Sequence, residues 1–189
     1  MEALPAPAGG PAGSTLYEVD RDGIITRVGG AWEAFARANG APMLVGAAVV
    51  GQSLRLSITE STTRLLYDAL LVRVRGGRRV TVPFRCDGPA VRRSMELVMT
   101  PGPEGGVRFE AVLLSAVPRP PVALLDASVP RSADLVKMCA WCRKVALGER
   151  WCEVEEAVAA LGLFEAPVLP AITHGICPAC NAAVLAVAS

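Results

Sequence analysis

The sequence has few aromatic residues, a single histidine and almost no net charge. Aromatic residues make up 5% of the chain, so any core is filled mainly by Ala, Val and Leu. The formal net charge of +1 excludes a strongly basic nucleic-acid wrapper and a strongly acidic tail. No apolar run approaches the roughly 20 residues that a membrane helix requires. Residues 1–13 contain no basic residue and no apolar segment, so no signal peptide is expected and the chain is predicted to be cytoplasmic.

Several catalytic signatures are also missing from the sequence. A histidine kinase needs a phospho-acceptor histidine on a helix, whereas the only histidine, His174, lies among cysteines. The same residue would have to serve a Ser-His-Asp hydrolase, and the chain has no Gly-x-Ser-x-Gly motif. A phosphate-binding Gly-x-x-x-x-Gly-Lys motif is absent as well. The sequence therefore predicts a protein without enzymatic activity.

Cysteine is the reactive residue type that the sequence arranges in a clear pattern. Four of the six cysteines form two Cys-x-x-Cys pairs, Cys139 with Cys142 and Cys177 with Cys180. Two such pairs supply four thiolates for a tetrahedral zinc ion, whereas a redox dithiol needs only one pair. Neither pair is followed by histidine, which excludes covalent haem attachment. The pattern predicts one structural zinc ion, with a four-thiolate iron–sulfur cluster as the alternative.

The remaining candidate residues have less specific roles. His174 lies three residues before the second pair, where it could replace a thiolate, donate a hydrogen bond to a metal-bound sulfur, or only pack. The hydrogen-bonding role is the preferred prediction. Cys152 is expected in the core, and Cys86 is expected on the packed side of a strand, with a thiol switch or a haem thiolate as its alternatives. Trp141 is expected either to contact a partner protein or to pack within its own segment.

Proline and glycine divide the chain into four segments. Residues 1–14 are rich in Ala, Pro and Gly and are predicted to be a disordered lead. Residues 15–118 read as two short strands, short helices and three further strands, which predicts an α+β fold with an antiparallel sheet. Residues 119–133 are proline-rich and are predicted to be a linker. Residues 134–189 are predicted to be a zinc-binding module with a helix near residues 153–163.

The segment 15–118 resembles a PAS domain. The matching residues are Asp20, Gly23, Ile24 and Ile25 in the first hairpin, then Trp32 and Phe35 in the following helix. Members of this family have a five-stranded antiparallel sheet whose helices cover one face and enclose a small ligand pocket. The candidates for lining such a pocket are Trp32, Phe35, Phe84 and Cys86, with ordinary core packing as the alternative. Gly30 departs from the family pattern, since many members have asparagine there.

The segment 134–189 resembles a cysteine-rich module that ends many bacterial PAS and response-regulator proteins. The resemblance rests on Cys139-Ala-Trp-Cys142, on Trp151 with Glu153, and on His174-Gly-Ile-Cys-Pro-x-Cys180. It implies a signalling context, with a protein partner such as a histidine kinase or a response regulator. A homodimer through the PAS-like segment is a further expectation.

Charge separates the two leading classes of function. Residues 134–189 carry four basic and six acidic residues, a net charge of −2, and zinc with four thiolates adds a further −2. Phosphate binding requires the opposite sign. We therefore expect a signal-transduction module whose tail docks a protein, in preference to a zinc-ribbon transcriptional regulator that binds nucleic acid. A thiol-based redox sensor is the third alternative, since zinc thiolates can be oxidised.

Overall fold

The computed structural model describes residues 13–164 and 166–188. The predicted disordered lead, residues 1–14, lies outside the described residues except for its last two. Within the described part, the chain has an α+β fold with nine strands in two sheets and six α-helices. No helix in this part is both long and apolar enough to cross a bilayer.

The strands form a five-stranded and a four-stranded sheet. The strands are β1 (Thr15–Val19), β2 (Ile25–Gly30), β3 (Val80–Arg85), β4 (Val91–Pro101), β5 (Val107–Pro118), β6 (Arg131–Cys139), β7 (Val145–Leu147), β8 (Arg150–Cys152) and β9 (Leu169–Gly175). The helices are α1 (Trp32–Ala38), α2 (Gly46–Val49), α3 (Leu54–Ser57), α4 (Ser61–Arg75), α5 (Val154–Ala160) and α6 (Pro178–Ala188). The first sheet is antiparallel in the order β2-β1-β5-β4-β3. The second has the order β8-β7-β6-β9, with β6 and β9 parallel.

The first hairpin turns at the Asp-Gly step that the sequence predicts. The Asp20 carboxylate accepts hydrogen bonds from two backbone N–H groups of the turn, and Gly23 has a φ of +80° that glycine adopts at little cost. β2 ends at Gly30, whose φ is +63° and where a Cβ atom would lie 2.2 Å from the Ser14 carbonyl oxygen. This close approach of two backbone segments explains why the chain has glycine here and not asparagine.

Helix α4 covers one face of the first sheet because its apolar side chains recur along one side. The buried residues on this side are Leu66, Leu70 and Val74. They pack with sheet residues such as Phe109 and Leu97 in one core. The helix begins after Glu60, whose carboxylate accepts hydrogen bonds from backbone N–H groups of the first turn. Sequence periodicity and capping together place this helix over the sheet.

The second sheet was not predicted from the sequence, which indicated a single helix within residues 134–189. The structure has four strands and two helices in and just before this segment. β7 and β8 contain three residues each, too few for an alternating pattern to be recognised. α6 has no charged residue, so it lacks the polar face that marks an amphipathic helix. The predicted helix near residues 153–163 is present as the shorter α5.

The proline-rich segment predicted as a linker packs in part against the second core. Val122 and Leu124 are buried there, and residues Ala123–Leu125 form a short 3-10 helix. β6 already begins at Arg131. The edges of regular structure therefore do not coincide with the predicted boundaries at residues 119 and 133.

Ion pairs connect the second sheet's segment to the first sheet. Arg85 of β3 pairs with Asp87 and with Glu153, which precedes α5. Arg119 pairs with the same Asp87 at 3.4 Å and with Glu155 of α5 at 3.0 Å. Part of the acidic excess counted in residues 134–189 is therefore neutralised by arginines of the preceding segment.

Candidate functional site

Four cysteine side chains come together where β6 and β9 end and α6 begins. The Sγ atoms of Cys139, Cys142, Cys177 and Cys180 all lie within 4.8 Å of one another. The Sγ atoms of Cys142 and Cys177 are 3.7 Å apart, and all six cysteines are free thiols. The structure thus brings together the four residues that the sequence singled out as ligands. We call this group the thiol cluster.

Parallel pairing of two strands explains how cysteines separated by 34 residues in the chain meet. β6 ends at Cys139, which is in register with Gly175 at the end of β9. Because parallel strands end at the same edge of a sheet, the second Cys-x-x-Cys pair emerges beside the first. That second pair flanks the start of α6, whose first residue is Pro178, a position where proline is favoured.

Hydrogen bonds to sulfur shape the acidity of the thiol cluster. The backbone N–H groups of Cys177 and Cys180 donate to the Sγ atoms of Cys139 and Cys177, both at 3.4 Å. A hydrogen bond from the Cys142 thiol, together with nearby backbone N–H groups, lowers the pKa of Cys139 to about 4 against the effect of burial. The hydrogen bond to Cys139 and burial raise the pKa of Cys142, and burial raises that of Cys180 to about 12. Binding of a cation would displace the protons that these thiols retain.

The spacing of the sulfur atoms fits a single tetrahedral ion. With Zn–S bonds near 2.3 Å, neighbouring thiolates of a tetrahedral site lie about 3.8 Å apart, close to the distance between Cys142 and Cys177. An iron–sulfur cluster with several irons holds its thiolates farther apart, because iron and sulfide atoms lie between them. Four sulfur donors within 4.8 Å therefore favour one mononuclear metal ion.

Three other sequence candidates lie outside the thiol cluster. Cys152 is buried in the second core, as expected. Burial raises the pKa of the Cys86 thiol, which keeps it protonated near neutral pH and disfavours its use as a reactive thiolate. His174 is exposed on β9 and is not one of the four grouped ligands. Partial burial of its ring and the charge of Arg143 lower the pKa of His174, so the imidazole is neutral near pH 7.

A cavity of about 490 Å³ lies between the first sheet, α1 and α4, and is also lined by Ala140 and Trp141, the two residues between Cys139 and Cys142. Aromatic side chains form much of its wall, namely Tyr17, Trp32, Phe35, Tyr67, Phe84 and Trp141. Tyr17 stacks on Phe109 with ring centroids 4.4 Å apart and meets Trp32 edge to face at 5.9 Å. Burial raises the pKa of Tyr67 to about 12, so the surroundings disfavour charge.

The cavity contains the pocket candidates from the sequence and further residues that sequence reasoning missed. The candidates Trp32, Phe35, Phe84 and Cys86 all line it. Sequence reasoning missed Tyr17, although it is an aromatic residue next to buried Leu16 on β1. It also missed Tyr67, although this residue lies three positions before buried Leu70 on α4. The lining residues Ala140, Trp141 and His174 carried no signal, because their position depends on how the second sheet packs against the first.

Trp141 is buried and does not face a partner protein. The residue is 5% exposed, and its ring packs against Tyr67 of α4 with centroids 5.5 Å apart. Its backbone carbonyl accepts a hydrogen bond from the Arg85 N–H at 2.7 Å. The expectation that Trp141 contacts a partner is therefore wrong, and the residue instead joins the first knuckle (residues 139–142) to the first sheet.

Comparisons with known proteins place the chain in no family. No family model and no curated protein match it. Among solved structures, a domain of an HTR-like protein from Haloarcula marismortui is similar with a TM-score of 0.39 and 16% sequence identity. The similarity covers 54% of this chain and 98% of that one. The function is therefore inferred from the thiol cluster and the cavity.

Proposed function

We propose that this protein is a non-enzymatic signal-transduction module. A PAS-like sensing unit, residues 15–118, is coupled to a zinc-stabilised tail, residues 134–189, that docks a protein partner. The observation that carries the proposal is the aromatic cavity of about 490 Å³ that lies between a five-stranded antiparallel sheet and the helices on one of its faces. A sheet, helices and pocket in this arrangement are what the resemblance to PAS domains implies.

Zinc is the proposed metal, held by Cys139, Cys142, Cys177 and Cys180. Four thiolates complete a tetrahedral shell, so such an ion has no open position for a substrate or a water nucleophile. A closed shell of this kind stabilises structure and offers no position for Lewis-acid catalysis. A structural zinc ion also suits this segment, because the second core is small and a metal ion would add stability to it. The four proposed ligands lie at the ends of strands and helices.

Protein docking is preferred to nucleic-acid binding on the grounds of charge. Glu153 and Glu155 of the tail are paired with arginines that precede the tail in the chain, which leaves four basic and four acidic residues in residues 134–189. A zinc ion with four thiolates would contribute a further −2. A tail with this net charge lacks the positive excess that phosphate binding requires. The proposed partner is a signalling protein, a histidine kinase or a response regulator.

Capture with the full chain as bait tests this proposal. Cys177→Ser removes a proposed ligand, and Cys152→Ser removes another buried cysteine as the matched control. We expect a histidine kinase or response regulator to be retained by the wild-type chain and by Cys152→Ser, and to be lost with Cys177→Ser. Binding of random duplex DNA with micromolar affinity at about 0.15 M salt would instead establish the nucleic-acid regulator.

A further inference from the structure

The wall of the cavity contains side chains from both sheets. Ala140, Trp141 and His174 line it together with residues of the first sheet and α4. Ala140 and Trp141 are the two residues between the first pair of thiols, so the first knuckle is both part of the thiol cluster and part of the cavity wall. The cavity is therefore complete only when this knuckle is in place.

Two hydrogen bonds and a ring contact fix the first knuckle against three neighbouring elements. The Trp141 carbonyl accepts from Arg85 at the end of β3, and the Ala140 N–H donates to the Gly175 carbonyl at the end of β9 at 2.8 Å. The Trp141 ring packs on Tyr67 of α4. The two residues that terminate the knuckle, Cys139 and Cys142, belong to the thiol cluster, so a metal ion bound there would fix both of its ends.

The cavity has a chemistry that favours a neutral aromatic molecule. Its described lining residues include six aromatic side chains and neither lysine nor arginine. The one carboxylate, that of Glu60, already accepts hydrogen bonds from the backbone N–H groups of Thr62 and Thr63. Arg93 and Arg143 are close enough to influence the lining residue Cys86, but neither lines the cavity, so an anionic ligand would meet the Glu60 carboxylate without a cation in direct contact. A flat apolar molecule could pack against the rings.

The indole of Trp141 adds a polar requirement. Its Nε1 atom is buried and has no hydrogen-bond partner among the described residues. A buried N–H group without an acceptor is unfavourable, and a carbonyl oxygen on a bound molecule would supply the acceptor after a small rearrangement of the wall. The ligand class that suits both observations is a neutral aromatic molecule with a hydrogen-bond acceptor.

We infer that the cavity binds a neutral, mostly aromatic molecule bearing a carbonyl-type acceptor, and that this binding depends on metal in the thiol cluster. The inference rests on the proposed function and extends it by naming the ligand class and the coupling. Metal holds the first knuckle, and the knuckle closes one wall of the cavity. By linkage, ligand and metal raise each other's affinity by the same factor.

The first experiment uses prodan, a neutral naphthalene ketone whose emission depends on polarity, with the full metal-loaded chain. We expect saturable binding at one site, with energy transfer from Trp32 and Trp141. Removing metal with a chelator weakens prodan binding at least tenfold. Saturating prodan strengthens metal binding by the same factor, measured by competition with a chelating dye. Equal prodan affinity with and without metal overturns the coupling.

Three leucine substitutions separate the cavity from its knuckle wall. Ala111→Leu fills the cavity from the first sheet, Ala140→Leu fills it from the knuckle, and Ala182→Leu on the exposed face of α6 is the control. We expect the first two variants to bind prodan at least tenfold more weakly with metal content unchanged, and the control to bind normally. If Ala111→Leu alone weakens prodan binding, the first knuckle is not part of the cavity wall. This result overturns the inference and leaves the proposed sensing function in place.

Two further outcomes complete the test. Trp141→Phe removes the indole N–H, so we expect several-fold weaker prodan binding and a shift of bound prodan emission to shorter wavelength. Unchanged affinity and emission overturn the assignment of an acceptor to the ligand. No saturable binding by the wild-type chain overturns the ligand class, whereas partner capture tests the proposed function separately.

Discussion

Asp87 is the residue on which the charged contact between the two sheets converges. Its side chain has no exposed surface, and its carboxylate pairs with Arg85 and Arg119. It also accepts a hydrogen bond from the backbone N–H of Arg93 at 3.1 Å. Without this carboxylate, two largely buried guanidinium groups would lose their shared counter-charge.

Asp87→Asn is therefore expected to lower the free energy of unfolding by about 3–5 kcal/mol. Glu18→Gln is the matched control, because Glu18 pairs with Arg27 on the surface, where the side chain of Arg27 is 58% exposed. The control should cost less than about 1 kcal/mol. Urea denaturation of both variants measures the difference, and equal small losses would show that the buried network contributes little.

Glu60 gives the stability a specific dependence on pH. Burial raises its pKa, but hydrogen bonds from the backbone and side chains of Thr62 and Thr63 outweigh burial, so the pKa lies below the ordinary value of 4.5. A carboxylate with a lowered pKa contributes stability above its unfolded pKa and loses that contribution as pH falls through its folded pKa.

We expect Glu60→Gln to be less stable than the wild-type chain at neutral pH by about 1 kcal/mol, because the amide is a weaker helix cap than the carboxylate. The difference should shrink as the pH falls below 4.5, where the wild-type carboxylate takes up a proton. Urea unfolding of both chains across this range tests the prediction. A difference that stays constant on acidification would contradict the capping role.

At the scale of the element, α4 packs against the rest of the protein through only one of its faces. Leu70 has no exposed surface, whereas Leu65 on the same helix is 66% exposed. Leu70→Ala should lower the free energy of unfolding by about 2–5 kcal/mol through lost burial and a cavity. Leu65→Ala, the same substitution on the solvent side, should change it by no more than about 0.5 kcal/mol. Similar losses of unfolding free energy for the two variants would mean that the face of α4 that carries Leu65 is covered.

The elements that could be predicted from the sequence are those with local signals. The strands β4 and β5 are separated by a segment rich in proline and glycine at residues 102–106, and α5 has an apolar face. The four cysteines of the thiol cluster were recognisable because the partners in each pair are three residues apart. The two Cys-x-x-Cys pairs meet because β6 and β9 pair in parallel, and no local sequence pattern reveals this pairing. The sequence identified Trp32 as a pocket candidate because Trp32 belongs to a local motif. It missed Ala140 because the position of Ala140 depends on contacts between distant parts of the chain.

At the scale of the whole molecule, the thiol cluster and the cavity share one structural element. Cys139, Trp141 and Cys177 belong to the same apolar core as Phe109 of β5 and Leu70 of α4. A change in the shape of the cavity therefore acts on the first knuckle directly and does not have to be transmitted through the proline-rich segment. This arrangement gives the proposed sensor a direct physical route from ligand to docking tail.

Metal analysis of the purified chain tests this arrangement most directly, because a bound ion at the thiol cluster is the premise of both the docking tail and the cavity wall. We predict about one zinc ion per chain, retained in Cys86→Ser and Cys152→Ser and lost in Cys139→Ser and Cys177→Ser. Stoichiometric iron with a visible charge-transfer band, or zinc that persists after both ligand substitutions, would contradict the assignment.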